Sequence, residues 1–160
     1  MLHGSPGSGK TTLSRAIAEL LRAAGRANAV IDLDDLSMDP GRSFARDNLR
    51  AIWPNYAAVP QLKVVVPSVI GDEQEREQLR AAVPGARFIV CELTAPMTVL
   101  KNRVTAREPN EYWQQRLCDF VELYHRRSDL PRIRDFQVET HARTVGETAR
   151  EVVEKAGWSQ

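Results

Sequence analysis

Short apolar runs alternate along this chain with longer stretches in which apolar residues return every three or four positions. The runs have the length of buried strands, and the stretches have the period of helices that cover a core with one face. Five strands are predicted, at Leu2, 29–31, 63–66, 87–91 and 136–138. Helices are predicted at 12–21, 72–83, 94–107, 110–128 and 144–156. This alternation predicts an α/β fold in which a five-stranded parallel sheet carries helices on both faces.

The helix predicted at 110–128 carries a stripe of large side chains at helical spacing. The stripe consists of Trp113, Leu117, Phe120 and Tyr124. A stripe of this kind is more often part of a core than part of a binding surface. We therefore expect these four side chains to be buried.

Length and composition are those of one globular domain that spans 1–160. The chain has 160 residues, of which 42% are hydrophobic and 27% charged, as is ordinary for such a domain. A formal net charge of +1 gives no overall field that would attract nucleic acid or an anionic membrane, so neither is expected as a partner. No apolar run approaches the roughly 18 residues of a membrane span, and no signal peptide is present. The sequence therefore predicts a cytoplasmic protein.

The most specific chemical motif stands at the start of the chain. Residues 4–11 fit the pattern G-x-x-x-x-G-K-[ST] of a phosphate-binding P-loop. Its glycines allow the backbone to turn successive N–H groups toward an anion, and the following helix points its positive end at the same place. Lys10 supplies a charge for the β- and γ-phosphates, and the Thr11 hydroxyl can ligate Mg²⁺. The predicted nucleotide-binding residues are Ser5, Gly7, Ser8, Gly9, Lys10, Thr11 and Thr12.

Two acidic residues follow the second predicted strand. Ligands of a parallel sheet bind beyond the carboxyl ends of its strands, and residue alternation places Asp32 and Asp34 on the same side there. Two carboxylates at this position suit two tasks. One is to orient Mg²⁺ or its water, and the other is to accept a proton from an attacking hydroxyl. The alternative is that both are solvated loop residues that cap a turn or a helix.

The connection at 36–61 is long for a strand-to-strand segment and carries three regularly spaced arginines. Arg42, Arg46 and Arg50 share one face if the segment is helical. Three like charges on one face favour an anionic or polar ligand, so we predict that this segment binds an acceptor substrate. The alternative is a solvated face whose arginines pair locally with Asp39 and Asp47.

The chain resembles the P-loop small-molecule kinases, a group that includes adenylylsulfate, shikimate and gluconate kinases and chloramphenicol phosphotransferase. The motifs that carry the resemblance are the P-loop, the Asp32-x-Asp34 pair and the segment 100–107 with its two arginines. The resemblance implies ATP and Mg²⁺ as cofactors and a carboxylate, here Asp34, against the acceptor hydroxyl. It also implies a lid, here about 94–109, whose Arg103 and Arg107 clamp the phosphates.

One departure from these kinases concerns the metal. The strand predicted at 63–66 is followed by Pro67 and Ser68, where a carboxylate is usual. Thr11 and Asp32 are therefore the residues left for Mg²⁺.

Three functions remain open at this stage. The first is an ATP-dependent phosphotransferase that acts on a hydroxyl of a metabolite, nucleotide or antibiotic, with Lys10, Asp34, Arg103 and Arg107 as catalytic residues. The second is a nucleotide-binding regulatory NTPase with no small-molecule acceptor. The third is phosphorylation of a nucleic-acid end, which the near-neutral charge disfavours.

Overall fold

The computed structural model describes residues 1–37 and 44–159. Five strands occur in these residues: β1 (Leu2–Gly4), β2 (Asn28–Val30), β3 (Lys63–Val65), β4 (Cys91–Thr94) and β5 (Phe136–Glu139). Seven helices lie between and after them: α1 (Lys10–Ala23), α2 (Ala45–Ala57), α3 (Glu73–Ala82), α4 (Met97–Arg107), α5 (Glu111–His125), α6 (Leu130–Ile133) and α7 (Val145–Lys155). The predicted α/β alternation is confirmed.

The described strands are all parallel but form two sheets rather than one. β4 pairs with β1 on one side and β5 on the other, while β2 pairs with β3. A single bridge between Leu2 and Pro67 joins the two sheets. The prediction of one continuous five-stranded sheet is therefore met only in part, because the pairing of β1 with the chain after β3 stops at this bridge, and the N–H of Ile70 donates to His3 Nδ1 instead of to a strand carbonyl.

The fourth strand lies further along the chain than its apolar run suggests. The prediction placed it at 87–91, and the observed strand is Cys91–Thr94. The N–H of Val90 donates to the carboxylate Oδ2 of Asp135 at 2.7 Å instead of to a neighbouring strand. Glu92 continues the ladder although it is a charged residue type. A strand predicted from the apolar run alone therefore ends too early in the chain.

Side-chain alternation separates two faces of the β1–β4 ladder. Leu2 and Leu93 point into a core that α1 and α7 cover. A second core collects residues of α2 and α3, including Leu49 and Leu79, with Ile133 of α6. Two sets of helices therefore pack against the strands and form a separate core each, in agreement with the predicted layers of helices on both faces.

A third, smaller core holds α4 and α5 together. It consists of Ala95, Leu100, Val104 and Val121, all buried. The expectation for the aromatic stripe on α5 is wrong in half of its members, since Trp113 and Phe120 are exposed while Tyr124 is buried. The helix packs through the side that bears Val121 and Tyr124, and the other side has no covering element among the described residues. Within those residues, no helix is long and apolar enough to cross a membrane.

Candidate nucleotide and acceptor site

The P-loop connects the end of β1 to the start of α1. Gly7 and Gly9 adopt positive φ angles of 77° and 91°, a region that favours glycine. A Cβ atom on Gly7 would lie 2.5 Å from the carbonyl oxygen of Leu100, whereas a Cβ on Gly9 would meet nothing within 4 Å. Gly7 thus allows α4 to pack against the loop, and Gly9 borders open space at the start of α1.

The loop has the features of a phosphate site. α1 begins without a side-chain cap and without an acidic residue in its first turn, so its N–H groups are available to an anion. The Ser5 and Ser8 hydroxyls are buried and have no hydrogen-bond partner among the described residues. Thr11 and Thr12 are exposed at the same helix start. These donors fit the phosphates of a nucleotide.

Lys10 lies folded over the loop rather than extended into solvent. Its Nζ donates to the carbonyl oxygens of Gly4 at 2.8 Å and Ser5 at 3.1 Å. The ammonium group is thus held at the loop before any ligand binds, in a position from which it can serve phosphate oxygens.

A cavity of about 340 Å³ opens beside the loop, within the size range of small-molecule sites. Its walls come from the P-loop, from α4 and from the loop between β5 and α7. The residues that line it include Gly7, Gly9, Thr12, Arg103, Arg107, Thr140 and Arg143. The structure thus brings most of the predicted nucleotide-binding residues to one cavity.

The two arginines of α4 line this cavity in different ways. Arg103 is half-buried, and its guanidinium donates to Thr140 Oγ1 at 3.0 Å, to the Thr140 carbonyl oxygen at 2.8 Å and to the Gly7 carbonyl oxygen at 3.3 Å. Arg107 lies one turn further along α4, is exposed, and makes no hydrogen bond or ion pair within the described residues. Arg103 therefore connects three segments of the cavity wall, while Arg107 is available to a ligand.

The acidic pair lies in a turn after β2. The backbone N–H of Asp34 donates to Asp32 Oδ1 at 3.0 Å, and the N–H of Ser37 donates to the Asp34 carbonyl oxygen at 3.2 Å. Ile31 and Leu33, the neighbours of Asp32 in the chain, are buried, whereas Asp32 is half-buried and Asp34 is exposed. The Asp32 carboxylate thus has a capping role in this turn.

The described residues contain no cluster of three His, Cys, Asp or Glu side chains that could hold a metal ion. A magnesium ion at this site would therefore depend on the Thr11 hydroxyl, a carboxylate of the acidic turn and the nucleotide itself. That donor set is typical of Mg²⁺, which keeps several waters and binds through substrate phosphates.

Of the three predicted acceptor-binding arginines, two lie on α2. Arg46 is half-buried and Arg50 is exposed, one turn apart, and Arg50 lies 3.7 Å from Asp47. Arg42 and Asp39 lie outside the described residues. Sequence reasoning assigned no role to Asn48, whose Nδ2 donates to the Leu36 carbonyl oxygen at 2.7 Å and so joins α2 to the acidic turn.

Beneath the P-loop lies a buried polar network that sequence reasoning also missed. The N–H of Ile70 donates to His3 Nδ1 at 2.9 Å, and His3 Nε2 lies 2.8 Å from the Tyr124 hydroxyl. That hydroxyl donates to Glu92 Oε1 at 3.0 Å, and Arg134 pairs with the other Glu92 oxygen. The sequence feature that could have indicated this network is a polar residue in each of two buried strands, His3 in β1 and Glu92 in β4.

The network fixes the protonation of His3. Because Nδ1 accepts from a backbone N–H and the Tyr124 proton goes to Glu92, His3 must be neutral with its proton on Nε2. Burial, followed by the nearby Arg127 guanidinium, lowers the pKa of His3 to about 3. His3 is thus a structural residue that joins β1 to α5 and to the loop after β3.

Comparison with solved structures supports the fold. No protein-family model matches the sequence, and no curated protein matches it either. The structure is similar to the APS kinase CysC of Mycobacterium tuberculosis in complex with AMPPNP and APS, at 20% identity and a TM-score of 0.68, covering 98% of this chain and 95% of that one. It is also similar to a gluconokinase from Sinorhizobium meliloti 1021, at 23% identity and a TM-score of 0.66, covering 98% and 89%.

A third similar structure is Kti12 of Chaetomium thermophilum in complex with ADP-AlF3, at 19% identity and a TM-score of 0.64, covering 98% of this chain and 95% of that one. The predicted resemblance to P-loop kinases is thus confirmed at the level of the fold. Sequence identities of about 20% carry the likeness no further than the fold.

Proposed function

We propose that this protein is an ATP-dependent phosphotransferase that moves the γ-phosphate to a hydroxyl group of a small molecule, a metabolite, nucleotide or antibiotic. The observation that carries the proposal is the cavity between the P-loop and α4, whose wall holds Arg103 and Arg107. The likeness to APS kinase and gluconokinase, two small-molecule kinases, supports it.

In this proposal the nucleotide phosphates bind in the P-loop, against the N–H groups of α1. The Lys10 ammonium group donates to phosphate oxygens, either in place of its hydrogen bonds to the Gly4 and Ser5 carbonyl oxygens or in addition to them. Arg107 neutralises charge on the transferred group. Thr11 and Asp32 would hold Mg²⁺, which would supply charge neutralisation for the phosphates. The resemblance to the kinases implies that the loop at 139–143 contacts the base of the nucleotide. Arg103, which the same resemblance assigns to the phosphates, holds α4 against this loop through Thr140.

Asp34 is the proposed general base. It is exposed in the turn after β2, so its carboxylate can accept the proton of an acceptor hydroxyl without any rearrangement of buried residues. Catalysis of phosphoryl transfer depends mostly on positioning and charge. We propose 36–61 as the acceptor-binding segment and 94–109 as a lid that closes on the phosphates.

A second candidate function is nucleotide hydrolysis without a small-molecule acceptor. The likeness to Kti12 in complex with ADP-AlF3 is the observation that favours it. The two functions differ in one measurable property, since only a phosphotransferase has a turnover that depends on an acceptor.

The experiment that tests the proposal incubates the protein with ATP, Mg²⁺ and a library of hydroxyl-bearing metabolites, and detects the gain of one phosphate by mass spectrometry. A Lys10→Ala variant serves as the control for contaminating kinases. A phosphorylated product that forms only with the parent protein supports the phosphotransferase. Release of inorganic phosphate at the same rate with every acceptor would replace it by the second candidate.

A further inference from the structure

Helix α5 presents an apolar face that no described part of the chain covers. Its four large apolar side chains Tyr112, Trp113, Phe120 and Leu123 are between 40% and 61% exposed. At about 100° of rotation per residue they fall within an arc of about 100°, which borders the buried positions Tyr124 and Val121. Among the described residues nine large apolar side chains are exposed in all. Single exposed apolar residues are normal, but a contiguous group of four indicates an interface.

Arg116 lies within this face, and Asp119 lies next to it. Arg116 stacks on the Tyr112 ring at 5.6 Å and donates to its hydroxyl at 3.0 Å. Asp119 accepts from Gln115 Nε2 at 2.7 Å. Neither Arg116 nor Asp119 forms an ion pair within the described part of the chain. The middle of α5 thus offers one positive and one negative group, three residues apart.

This arrangement is complementary to itself when two copies of α5 lie antiparallel. A twofold axis near the middle of the helix places Arg116 of one copy opposite Asp119 of the other, twice by symmetry. It also places Tyr112 and Trp113 opposite Leu123 of the second copy. A parallel arrangement would instead set like charges against each other.

The ends of the helix favour the same orientation. In the antiparallel pair the positive N-terminal end of each α5 lies beside the negative C-terminal end of the other, so the two helix dipoles attract each other. We propose that α5 is the interface of a symmetric, antiparallel homodimer of this protein.

The size of the face predicts a weak dimer. The helix has 15 residues and is therefore about 22 Å long. Its four apolar side chains each offer on the order of 100 Å², which together is about half of what one partner contributes to an interface of standard size. We therefore expect a monomer–dimer equilibrium that depends on protein concentration.

Sedimentation equilibrium over a wide range of protein concentrations tests the proposal. The parent protein should change from monomer to dimer as concentration rises, and Leu123→Glu should remain a monomer because it buries a charge against the apolar face. Val59→Glu is the matched control, since Val59 is an exposed apolar residue outside α5, and it should dimerise like the parent. A parent protein that is monomeric at every concentration would overturn the proposal.

Charge reversal tests the orientation of the two helices. Arg116→Glu and Asp119→Arg should each weaken the dimer by roughly tenfold, because each makes two repulsive pairs. The double variant should restore affinity toward that of the parent, since it exchanges the two charges. A dimer that forms equally well in the parent and in all these variants would place the interface elsewhere. The readout is mass, so the result is independent of any enzymatic activity.

Discussion

The candidate site has two halves that are held in place by different kinds of contact. In the nucleotide half, the Arg103 guanidinium joins α4, the P-loop and the loop after β5 through three hydrogen bonds. In the proposed acceptor half, Asp34 is exposed in a turn that is joined to α2 by the hydrogen bond from Asn48 Nδ2 to the Leu36 carbonyl oxygen. Arg50 is likewise exposed, and its ion-pair partner is Asp47 on its own helix.

This difference has a physical consequence for binding. A site whose walls are already joined loses little conformational freedom when the ligand enters, whereas exposed side chains must be ordered by the ligand itself. The nucleotide half is thus suited to a ligand of constant geometry, the triphosphate. The acceptor half is built from a turn and one helix, which are the parts of a fold where specificity varies most readily.

The largest effect is expected from Lys10→Ala. The change removes the ammonium group that the P-loop holds against the Gly4 and Ser5 carbonyl oxygens, and phosphoryl transfer should fall below detection. Turnover measured by ADP release, together with a thermal unfolding curve, checks that activity is lost while the fold is kept. Lys155→Ala, which alters a lysine of α7, should have normal turnover. Near-normal activity of Lys10→Ala would contradict the proposed kinase function.

Asp34→Asn should have the next largest effect. The amide keeps the shape of the carboxylate but cannot accept the hydroxyl proton, and loss of a general base lowers kcat by about 10²–10⁴-fold. ATP affinity, measured by isothermal titration calorimetry, should change little. Asp35→Asn removes the neighbouring exposed carboxylate and should behave like the parent. If Asp34→Asn instead weakens ATP binding and leaves kcat unchanged, Asp34 belongs to the metal site or to the turn.

The two arginines of α4 should separate stability from catalysis. Arg103→Ala breaks three hydrogen bonds to the P-loop and to Thr140 and should lower the free energy of unfolding by about 1 kcal/mol in the absence of nucleotide. Arg107→Ala should leave that free energy unchanged and lower kcat by about tenfold or more. Chemical denaturation without ligand and steady-state kinetics measure the two effects. Equal loss of stability in both variants would remove the distinction.

More of the predicted residues lie around one cavity in the nucleotide half than in the acceptor half. The P-loop residues have a fixed spacing within their motif, and Arg103 and Arg107 are one turn apart on α4, so local geometry brings each of these two groups together. The contact between Arg103 and Thr140 joins residues 37 positions apart, and no local pattern encodes it. The buried network of His3, Tyr124 and Glu92 was missed for the same reason. Trp113 and Phe120 were assigned to the core because helical spacing shows which residues share a face but not what covers that face.

The smallest expected effect concerns the arginines of the acceptor half, and it decides between the two interpretations of that half. Arg46 is half-buried and Arg50 is exposed with Asp47 nearby, and Arg42 lies outside the described residues. If they bind an anionic acceptor, each change to Ala should raise the KM for the acceptor by about tenfold, the cost of one charge-assisted hydrogen bond. The KM for ATP should stay constant, because the nucleotide half is untouched. We expect Arg46→Ala to raise the KM for the acceptor more than Arg50→Ala does, because a half-buried guanidinium is less hydrated and already partly ordered. Arg80→Ala, on the surface of α3 and paired with Glu77, is the control. If Arg42→Ala, Arg46→Ala and Arg50→Ala all behave like the parent with the true acceptor, this face of α2 is solvated surface and the acceptor binds elsewhere.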